Sequence, residues 1–316
     1  MYILRIMKKV IFICVLFFCS LLSVSVVCQV NPQKSQQFDF WIGEWDVNLR
    51  MIQPDLSWED KIKATTHVYS ILRGKAILEL WDNSESGIIG HSLRYYNPDS
   101  DLWDLFLNWP GKNRSGTGRM SGKFRHGRCE FYNTPDVSDT TITVERYTFS
   151  DITPGSFRWD DGYSNDGGKS WRGNWIMEFS RIADIAPEFD LDTSLNTYYS
   201  GKRCDAEEFK VLDSLIGKYE PGLTVYPILD GCSVMGLSED LYFKFTYNTY
   251  ASLYELTVLS SNPSQGLWIY YGNKTDDKIE LKTSKNDQEY HSVIQLGDGS
   301  FNINYYNNNY ALAKNH

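Results

Sequence analysis

The first half of the chain alternates apolar and polar residues in short runs, which are separated by turn-forming residues. In the first run Trp45, Val47 and Leu49 alternate with polar side chains, the period of two that a half-buried strand shows. Similar runs follow at regular spacing, and the pattern predicts about ten strands and almost no helix, at 44–50, 61–72, 76–81, 88–96, 102–109, 118–124, 128–133, 140–149, 156–163 and 171–181. Many short strands joined by tight turns indicate an up-and-down barrel or a sandwich.

The opening of this region returns once along the chain. Residues 38–47, FDFWIGEWDV, have a weaker echo at 212–221, LDSLIGKYEP, which lies 174 positions later. Further matches pair 71–74 with 228–231 at an offset of 157, Tyr96 with Tyr247 at 151, and Gly122 and Glu130 with Gly272 and Glu280 at 150. An offset that stays nearly constant over the later matches indicates an internal duplication, and it predicts two tandem antiparallel β-barrels.

The offset falls from 174 to 157 between the first two matches. We therefore expect the second copy to lack the hairpin equivalent to 48–70 and to form a trimmed or partly open barrel. The predicted organisation is a signal peptide at 1–28, a barrel at 36–182, a linker at 183–204 and a shorter barrel-like domain at 205–316. One short helix at 206–215 opens the second domain, where apolar residues share one face and Gly217 ends the helix.

The N-terminus has the pattern of an export signal. Arg5, Lys8 and Lys9 precede an apolar stretch at 10–27, and a cleavage site fits after Cys28. A retained membrane anchor is the alternative, and a lipid anchor at Cys28 fits less well because Val27 stands where a small residue is expected. The sequence thus predicts a periplasmic or secreted protein that is not inserted in a membrane after cleavage.

The charge and the cysteines narrow the classes of function. A formal net charge of −9 without any basic patch argues against nucleic acid and anionic membranes as partners. Cleavage leaves Cys129, Cys204 and Cys232, which allow at most one internal disulfide; buried apolar cysteines are the simplest interpretation. No metal site is predicted, because no Cys-x-x-Cys pair occurs and no two histidines have the spacing of metal ligands.

Gly43-x-Trp45 on the first strand and Arg181 on the last strand resemble the lipocalin-like superfamily. In that superfamily the indole packs over the closed end of the barrel against the arginine, which implies a structural role for this pair. The opening at 38–47, the Ile-Leu-Arg-Gly segment at 71–74 and the SNDGGKSW segment at 164–171 resemble one uncharacterised bacterial lipocalin-like domain family, with a degenerate second copy. The resemblance implies a barrel and brings no settled activity.

The segment 164–171 also matches the Asp-box pattern of sialidase-type propellers. Its chemistry is that of a hairpin turn, in which Asp166 accepts backbone hydrogen bonds and Gly167 and Gly168 supply positive φ. A single Asp box does not predict a propeller or a carbohydrate-active enzyme.

Catalytic and cofactor signatures are weak. Barrels related to this family, such as nitrobindin, hold haem through one histidine, so His91 and His126 are candidate ligands. A satisfied core or rim histidine is the simpler interpretation, and no cofactor is predicted. Asp160, Asp161 and Glu178 lie on neighbouring predicted strands and are candidates for acid–base chemistry or simply for solvated turn carboxylates. No catalytic residue is assigned.

The remaining candidate is the interior of the first barrel. Aromatic residues form 15% of the chain, and nine of the ten tryptophans precede residue 176, so the first half is the predicted binding half. Strand alternation does not decide which face looks inward. If the polar and aromatic set faces inward, an anionic or polyhydroxylated small molecule would be bound by Arg94, Tyr96, Trp103, Trp109, Arg146 and Arg158.

Three functions follow from these observations. The leading hypothesis is an exported small-molecule-binding β-barrel with its ligand in the lumen of the first barrel. The alternatives are an enzyme of the lumen, namely a lyase, isomerase or hydrolase acting on sugar-derived or hydrophobic metabolites, and a structural or interaction module.

Overall fold

The computed structural model describes residues 33–83, 88–108, 118–133, 143–189, 204, 206–229, 231–306 and 308–315. Its compact unit at 34–316 contains two closed antiparallel barrels of ten strands each. The prediction of two tandem barrels is confirmed. Residues 1–28, to which the signal peptide was assigned, lie outside the described residues. None of the helices in the described ranges has the length and apolarity to cross a membrane.

The first barrel is an up-and-down meander in which the first strand pairs with the last. Two 3-10 turns, Lys34–Gln36 and Asp39–Trp41, precede it. Its strands are β1 (Gly43–Ile52), β2 (Trp58–Ile71), β3 (Ala76–Asn83), β4 (Ile88–Asn97), β5 (Leu102–Asn108), β6 (Gly118–Arg125), β7 (Arg128–Asn133), β8 (Val144–Ser150), β9 (Ser156–Ser164) and β10 (Arg172–Ala183).

The second barrel follows helix α1 (Glu207–Asp213) and repeats this order. Its strands are β11 (Gly217–Glu220), β12 (Leu223–Ile228), β13 (Ser233–Leu237), β14 (Leu241–Asn248), β15 (Leu253–Ser260), β16 (Trp268–Thr275), β17 (Lys278–Lys285), β18 (Gln288–Gln295), β19 (Phe301–Tyr305) and β20 (Asn308–Lys314). A 3-10 turn, Pro263–Gln265, joins β15 to β16.

The expected loss of a hairpin in the second copy is wrong. The strand pair is present as β11 and β12, and β11 pairs with both β12 and β20, so the barrel is trimmed but closed. The pair runs over 217–228, whereas β1 and β2 run over 43–71, and the difference accounts for the fall in offset from 174 to 157. Sequence offsets measure how many residues are missing, and they do not show whether a shortened hairpin still pairs.

The repeated Gly122 and Gly272 mark the same close approach in each barrel. Gly122 faces Phe131 on β7, and a Cβ atom there would lie 2.0 Å from the carbonyl oxygen of Glu130. In the second barrel a Cβ atom at Gly272 would lie 1.8 Å from the carbonyl oxygen of Glu280. Only glycine permits this approach of the neighbouring strand, which explains why glycine recurs at this position.

The first barrel has an apolar core of its own, and part of its outer surface packs against the core of the second barrel. Outward-facing residues of the first barrel belong to the same buried cluster as the interior of the second: Leu78, Leu80, Leu93, Tyr95 and Phe106. Across the contact the hydroxyl of Tyr95 accepts a hydrogen bond from the backbone N–H of Leu267 at 3.0 Å. On the barrel surface, Arg73 pairs with Asp240 at 2.9 Å. Cys204 and Cys232 form a disulfide next to the second barrel, and Cys129 is free and buried in the first.

His91 lies in this contact between the barrels and not in a lumen. Its Nε2 atom is 2.6 Å from the hydroxyl oxygen of Tyr242, and its side chain is buried. This placement rules out His91 as a ligand of haem inside the first barrel. Burial lowers its pKa well below the usual value, and the charges of Lys244 and Arg94 act in the same direction.

Because His91 is buried, we expect the free energy of unfolding to fall as the pH is lowered. Because the pKa of His91 is depressed only in the folded state, the unfolded chain takes up an additional proton as the pH falls below about 6.5. The free energy of unfolding should then drop by roughly 1.4 kcal/mol per pH unit from this group. Urea unfolding between pH 7 and pH 5 measures the slope, which His91→Gln should reduce. The exposed His126 serves as control, and equal slopes for wild type, His91→Gln and His126→Asn would contradict the prediction.

Candidate functional site: the lumen of the first barrel

The closed end of the first barrel is built around Trp45 and Arg181. The guanidinium of Arg181 lies 4.1 Å from the ring centroid of Trp45, and it donates hydrogen bonds to the backbone carbonyls of Pro154, Ile42 and Phe40. The indole Nε1 of Trp45 donates to the carbonyl of Trp41 at 2.8 Å. The packing expected for this pair is therefore present, and it anchors the entering chain to the last strand.

An aromatic plug fills the lumen above this end. Phe38 lies directly before the second 3-10 turn and Trp41 ends that turn, and both are buried. They meet the rings of Phe149 at 5.2 and 5.3 Å, and Phe157 stacks on Phe179 at 4.2 Å. The closed end is solid, so a ligand has to enter from the opposite end.

A buried polar network lies on the inner wall of β2, β3 and β4. The carboxylate of Glu79 accepts hydrogen bonds from the hydroxyls of Thr66 at 3.1 Å and Ser92 at 2.5 Å. The guanidinium of Arg94 donates to the hydroxyl of Ser92 at 3.0 Å and lies 3.6 Å from Glu79. Arg94 and Glu79 balance each other's charge, which is what allows both to be buried in an apolar barrel.

Arg94 links this network to the plug. Its guanidinium lies 3.7 Å from the ring centroid of Trp41, a cation–π contact in a desolvated setting. Burial lowers the pKa of Arg94 to about 10, while the nearby Glu79 raises it. Within the described residues, the Nε atom of Arg94 and the Nε1 atom of Trp41 are buried donors without a hydrogen-bond partner. The interior therefore holds unused donor capacity.

The other end of the lumen carries an aromatic wall. Tyr147, Trp159 and Trp175 face inward on β8, β9 and β10, with ring centroids 4.8 Å apart for the first two and 6.0 Å for the last two. Tyr147 and Trp175 are only half-buried although they point into the barrel, as is Met51, which faces Trp175 across β1 and β10. Side chains of the inner face are exposed only where the lumen is open to solvent.

Two of the predicted binding residues belong to the closed end. The hydroxyl of Tyr96 donates to Asp101 at 2.6 Å, and the indole of Trp103 donates to the side chain of Gln37 at 3.2 Å. Both residues face inward, next to the plug. Trp109 lies outside the described residues. Of the predicted set, Arg94 faces the lumen and is buried against the plug.

Arg146 and Arg158 are not brought together with Arg94, because they lie on the outer face of the sheet. Arg146 alternates with the inward-facing Tyr147 and stacks on Trp171 with its guanidinium 4.4 Å from the ring centroid. Arg158 pairs with Glu178 at 3.0 Å on the same outer face. The expectation of an arginine ring around the lumen is incorrect for these two residues.

The carboxylates weighed for acid–base chemistry have structural partners. Asp161 faces inward, and its Oδ1 atom accepts the backbone N–H groups of Asn174 and Trp175 at 3.0 and 2.8 Å, where the register of β10 shifts. Asp160 and Glu178 point outward. Burial raises the pKa of Asp160 and of Asp161. Their two carboxyl groups lie on opposite faces of the sheet, so they do not form a catalytic pair.

The segment 164–171 forms the hairpin turn that its pattern predicts. The carboxylate of Asp166 accepts the backbone N–H groups of Lys169 and Ser170 at 2.9 Å. The hydroxyl of Ser170, which also donates to it, and these backbone bonds hold the pKa of Asp166 below the usual range. Gly167 and Gly168 have φ of 70° and 87°. Trp171 turns outward onto Arg146, so the turn braces the outside of the open end.

Sequence reasoning missed Glu79, Tyr147 and Trp175 as lumen residues. The signal for Trp175 is parity: once Arg181 is placed inside against Trp45, every second residue back along β10 also faces inward, through Phe179 to Trp175. Glu79 gives no such signal, because an isolated glutamate in an apolar strand does not reveal which buried partner it has. Among the described residues no group of three or more His, Cys, Asp and Glu side chains is arranged to bind a metal ion.

Similarity to known proteins is found among solved structures. No family model matches the chain, and no curated protein matches it. Among solved structures it is similar to a structure of EF1p2_mFAP2b bound to DFHBI, with 13% sequence identity, coverage of 47% of this chain and 99% of that chain, and a TM-score of 0.25. A TM-score of this size supports no statement about the site.

Proposed function

We propose that the protein is an exported small-molecule-binding barrel of lipocalin-like type, with its ligand in the open half of the first lumen. The observation that carries the proposal is the wall formed by Tyr147, Trp159 and Trp175, which faces inward and is partly exposed. A barrel of ten strands is wider than the eight-stranded barrels whose side chains just fill the interior or hold one small ligand. An apolar cavity with few polar groups is the usual form of a ligand site.

The buried polar network of Glu79, Ser92 and Arg94 favours a ligand that accepts hydrogen bonds. Both oxygens of Glu79 already accept hydrogen bonds, whereas the Nε atom of Arg94 is a donor without a partner among the described residues. An anionic or polyhydroxylated molecule with an aromatic or apolar body would use this donor capacity and stack on the open wall. Arg94 is the proposed anchor.

Export of the protein is supported by the disulfide between Cys204 and Cys232. Disulfides persist mainly in oxidising compartments such as the periplasm or the extracellular space. The signal-like pattern at 1–28 agrees with the same destination.

Replacing Trp175 is expected to weaken binding of an aromatic anion. The probe is 1-anilinonaphthalene-8-sulfonate, with p-nitrophenyl glucoside as the polyhydroxylated counterpart. Loss of an aromatic anchor typically costs about 2 kcal/mol, or roughly 30-fold in Kd. Trp175→Ala should show this loss in a fluorescence titration of the native protein.

Trp171→Ala is the matched control, because Trp171 lies four positions away on the outer face. It should leave the Kd of both probes unchanged, as should Arg146→Ala. If neither probe binds, or if Trp171→Ala weakens binding as much as Trp175→Ala does, the ligand does not occupy the lumen.

A further inference from the structure

The shortened hairpin leaves a notch in the rim of the second barrel. In the first barrel β1 continues along β10 as far as the pair Met51–Trp175. In the second, β11 pairs with β20 only through Tyr219–Lys314 and Glu220–Ala313. Residues 309–312 of β20 consequently have no strand beside them on the β11 side among the described residues. We call the space between this edge, the turn at 221–222 and the turn at 238–240 the rim notch.

A cavity of about 480 Å³ occupies the rim notch. Its floor is apolar, formed by the buried side chains of Leu223, Leu241 and Leu312. One wall is the free edge of β20, with Asn309 and Tyr310. A free edge presents main-chain N–H and C=O groups that are able to pair with another extended chain.

The opposite wall of the cavity is acidic. It contains Glu239 and Asp240, and none of the described residues that line the cavity is basic. The turn is held by Arg73, which pairs with Asp240 at 2.9 Å and with Glu239 at 3.2 Å, and by Ser261, whose hydroxyl donates to Asp240 at 2.9 Å. The carboxylates of Glu239 and Asp240 outnumber the single guanidinium of Arg73, which leaves a net negative charge at the opening of the cavity.

We propose that the rim notch binds an extended, basic peptide segment, which adds a short strand to the edge of β20. The edge supplies the main-chain hydrogen bonds, the leucine floor receives an apolar side chain, and Glu239 with Asp240 attracts the flanking positive charges. Strand addition of this kind replaces the missing part of the hairpin, since the peptide takes the place that the distal half of β1 fills in the first barrel. This surface is separate from the proposed lumen site.

Matched peptides test the three parts of the proposal. The probe is acetyl-Lys-Val-Lys-Val-Lys-amide, compared by isothermal titration with the Glu-Val-Glu-Val-Glu peptide and with the lysine peptide N-methylated at alternate residues. We expect the acidic peptide to bind at least about 10-fold more weakly, because it meets like charges. N-methylation in the register that faces β20 should also cost about 10-fold or more, because it removes main-chain donors.

Protein variants locate the site. Leu223→Trp should fill the cavity and abolish binding. If that variant does not fold by circular dichroism, Ala311→Pro replaces it, because this substitution removes a main-chain donor on the free edge of β20. Glu239→Gln should weaken binding of the lysine peptide about threefold. The control Glu280→Gln, whose exposed carboxylate lies outside this cavity, should not. Absence of binding at millimolar peptide, equal affinity for the N-methylated peptide, or a native dimer closed through this edge in ultracentrifugation would each overturn the proposal.

Discussion

Replacing Gly122 or Gly272 by alanine is expected to destabilise the protein by at least about 3 kcal/mol. The added Cβ atom would lie 2.0 Å from a backbone carbonyl oxygen in the first barrel and 1.8 Å in the second. Overpacking against side chains typically costs about 1–3 kcal/mol, and here the obstacle is a paired main chain, which no rotamer change relieves. Urea unfolding of the two variants measures the loss.

Gly155 provides the matched control. A Cβ atom there meets no heavy atom within 4 Å, and the residue is exposed in the turn between β8 and β9. Gly155→Ala should change the free energy of unfolding by less than about 0.5 kcal/mol. A Gly122→Ala variant as stable as Gly155→Ala would show that β6 and β7 do not approach as closely as described.

Removing the charge of Arg94 is the second change with a large expected effect. Arg94→Met leaves the carboxylate of Glu79 buried without its cationic neighbour, in a setting where the side chains of both are less than a tenth exposed. Breaking a buried pair in this way costs about 3–5 kcal/mol. The double variant Arg94→Met with Glu79→Gln should recover most of that loss, because no unpaired charge remains.

Arg158 is the corresponding residue on the outer face, paired with Glu178 at 3.0 Å while both side chains are about 40% exposed. Arg158→Met should therefore cost less than about 1 kcal/mol. Urea unfolding of the four proteins completes the comparison. If Arg94→Met is no more destabilising than Arg158→Met, the pair with Glu79 does not stabilise the barrel.

The strands and the duplication could be predicted from the sequence, because each leaves a pattern among residues that are close together along the chain. Alternation along 44–50 or 102–109 reports a strand wherever one face is buried, and the recurrence of Gly122 with Glu130 reports a shared backbone contact. The closure of the second barrel depends on β11 pairing with β20, two short strands separated by nearly the whole domain. No local pattern records such a pairing.

The site was predicted less completely for a related reason. Period-two alternation divides each strand into two faces, but the choice of inner face is made separately for each strand by its partners. On β4 the inner face includes Arg94, as expected. On β8 it includes Tyr147 and Phe149, and Arg146 is left outside. The Trp45–Arg181 contact fixes the inner face of two strands, and parity can be extended from there only when register shifts are known.

Each barrel is closed by pairing its first strand with its last. This arrangement determines the order in which the two barrels can close during synthesis of the chain. The first barrel can close as soon as Ala183 has emerged from the ribosome, while the second remains an open sheet until the segment Asn308–Lys314 is made. During that interval β11 and β19 are both unprotected edges, prone to mispairing with other chains. An early-folded first barrel offers its apolar outer surface at Leu93 and Phe106 as a template on which the late strands can assemble.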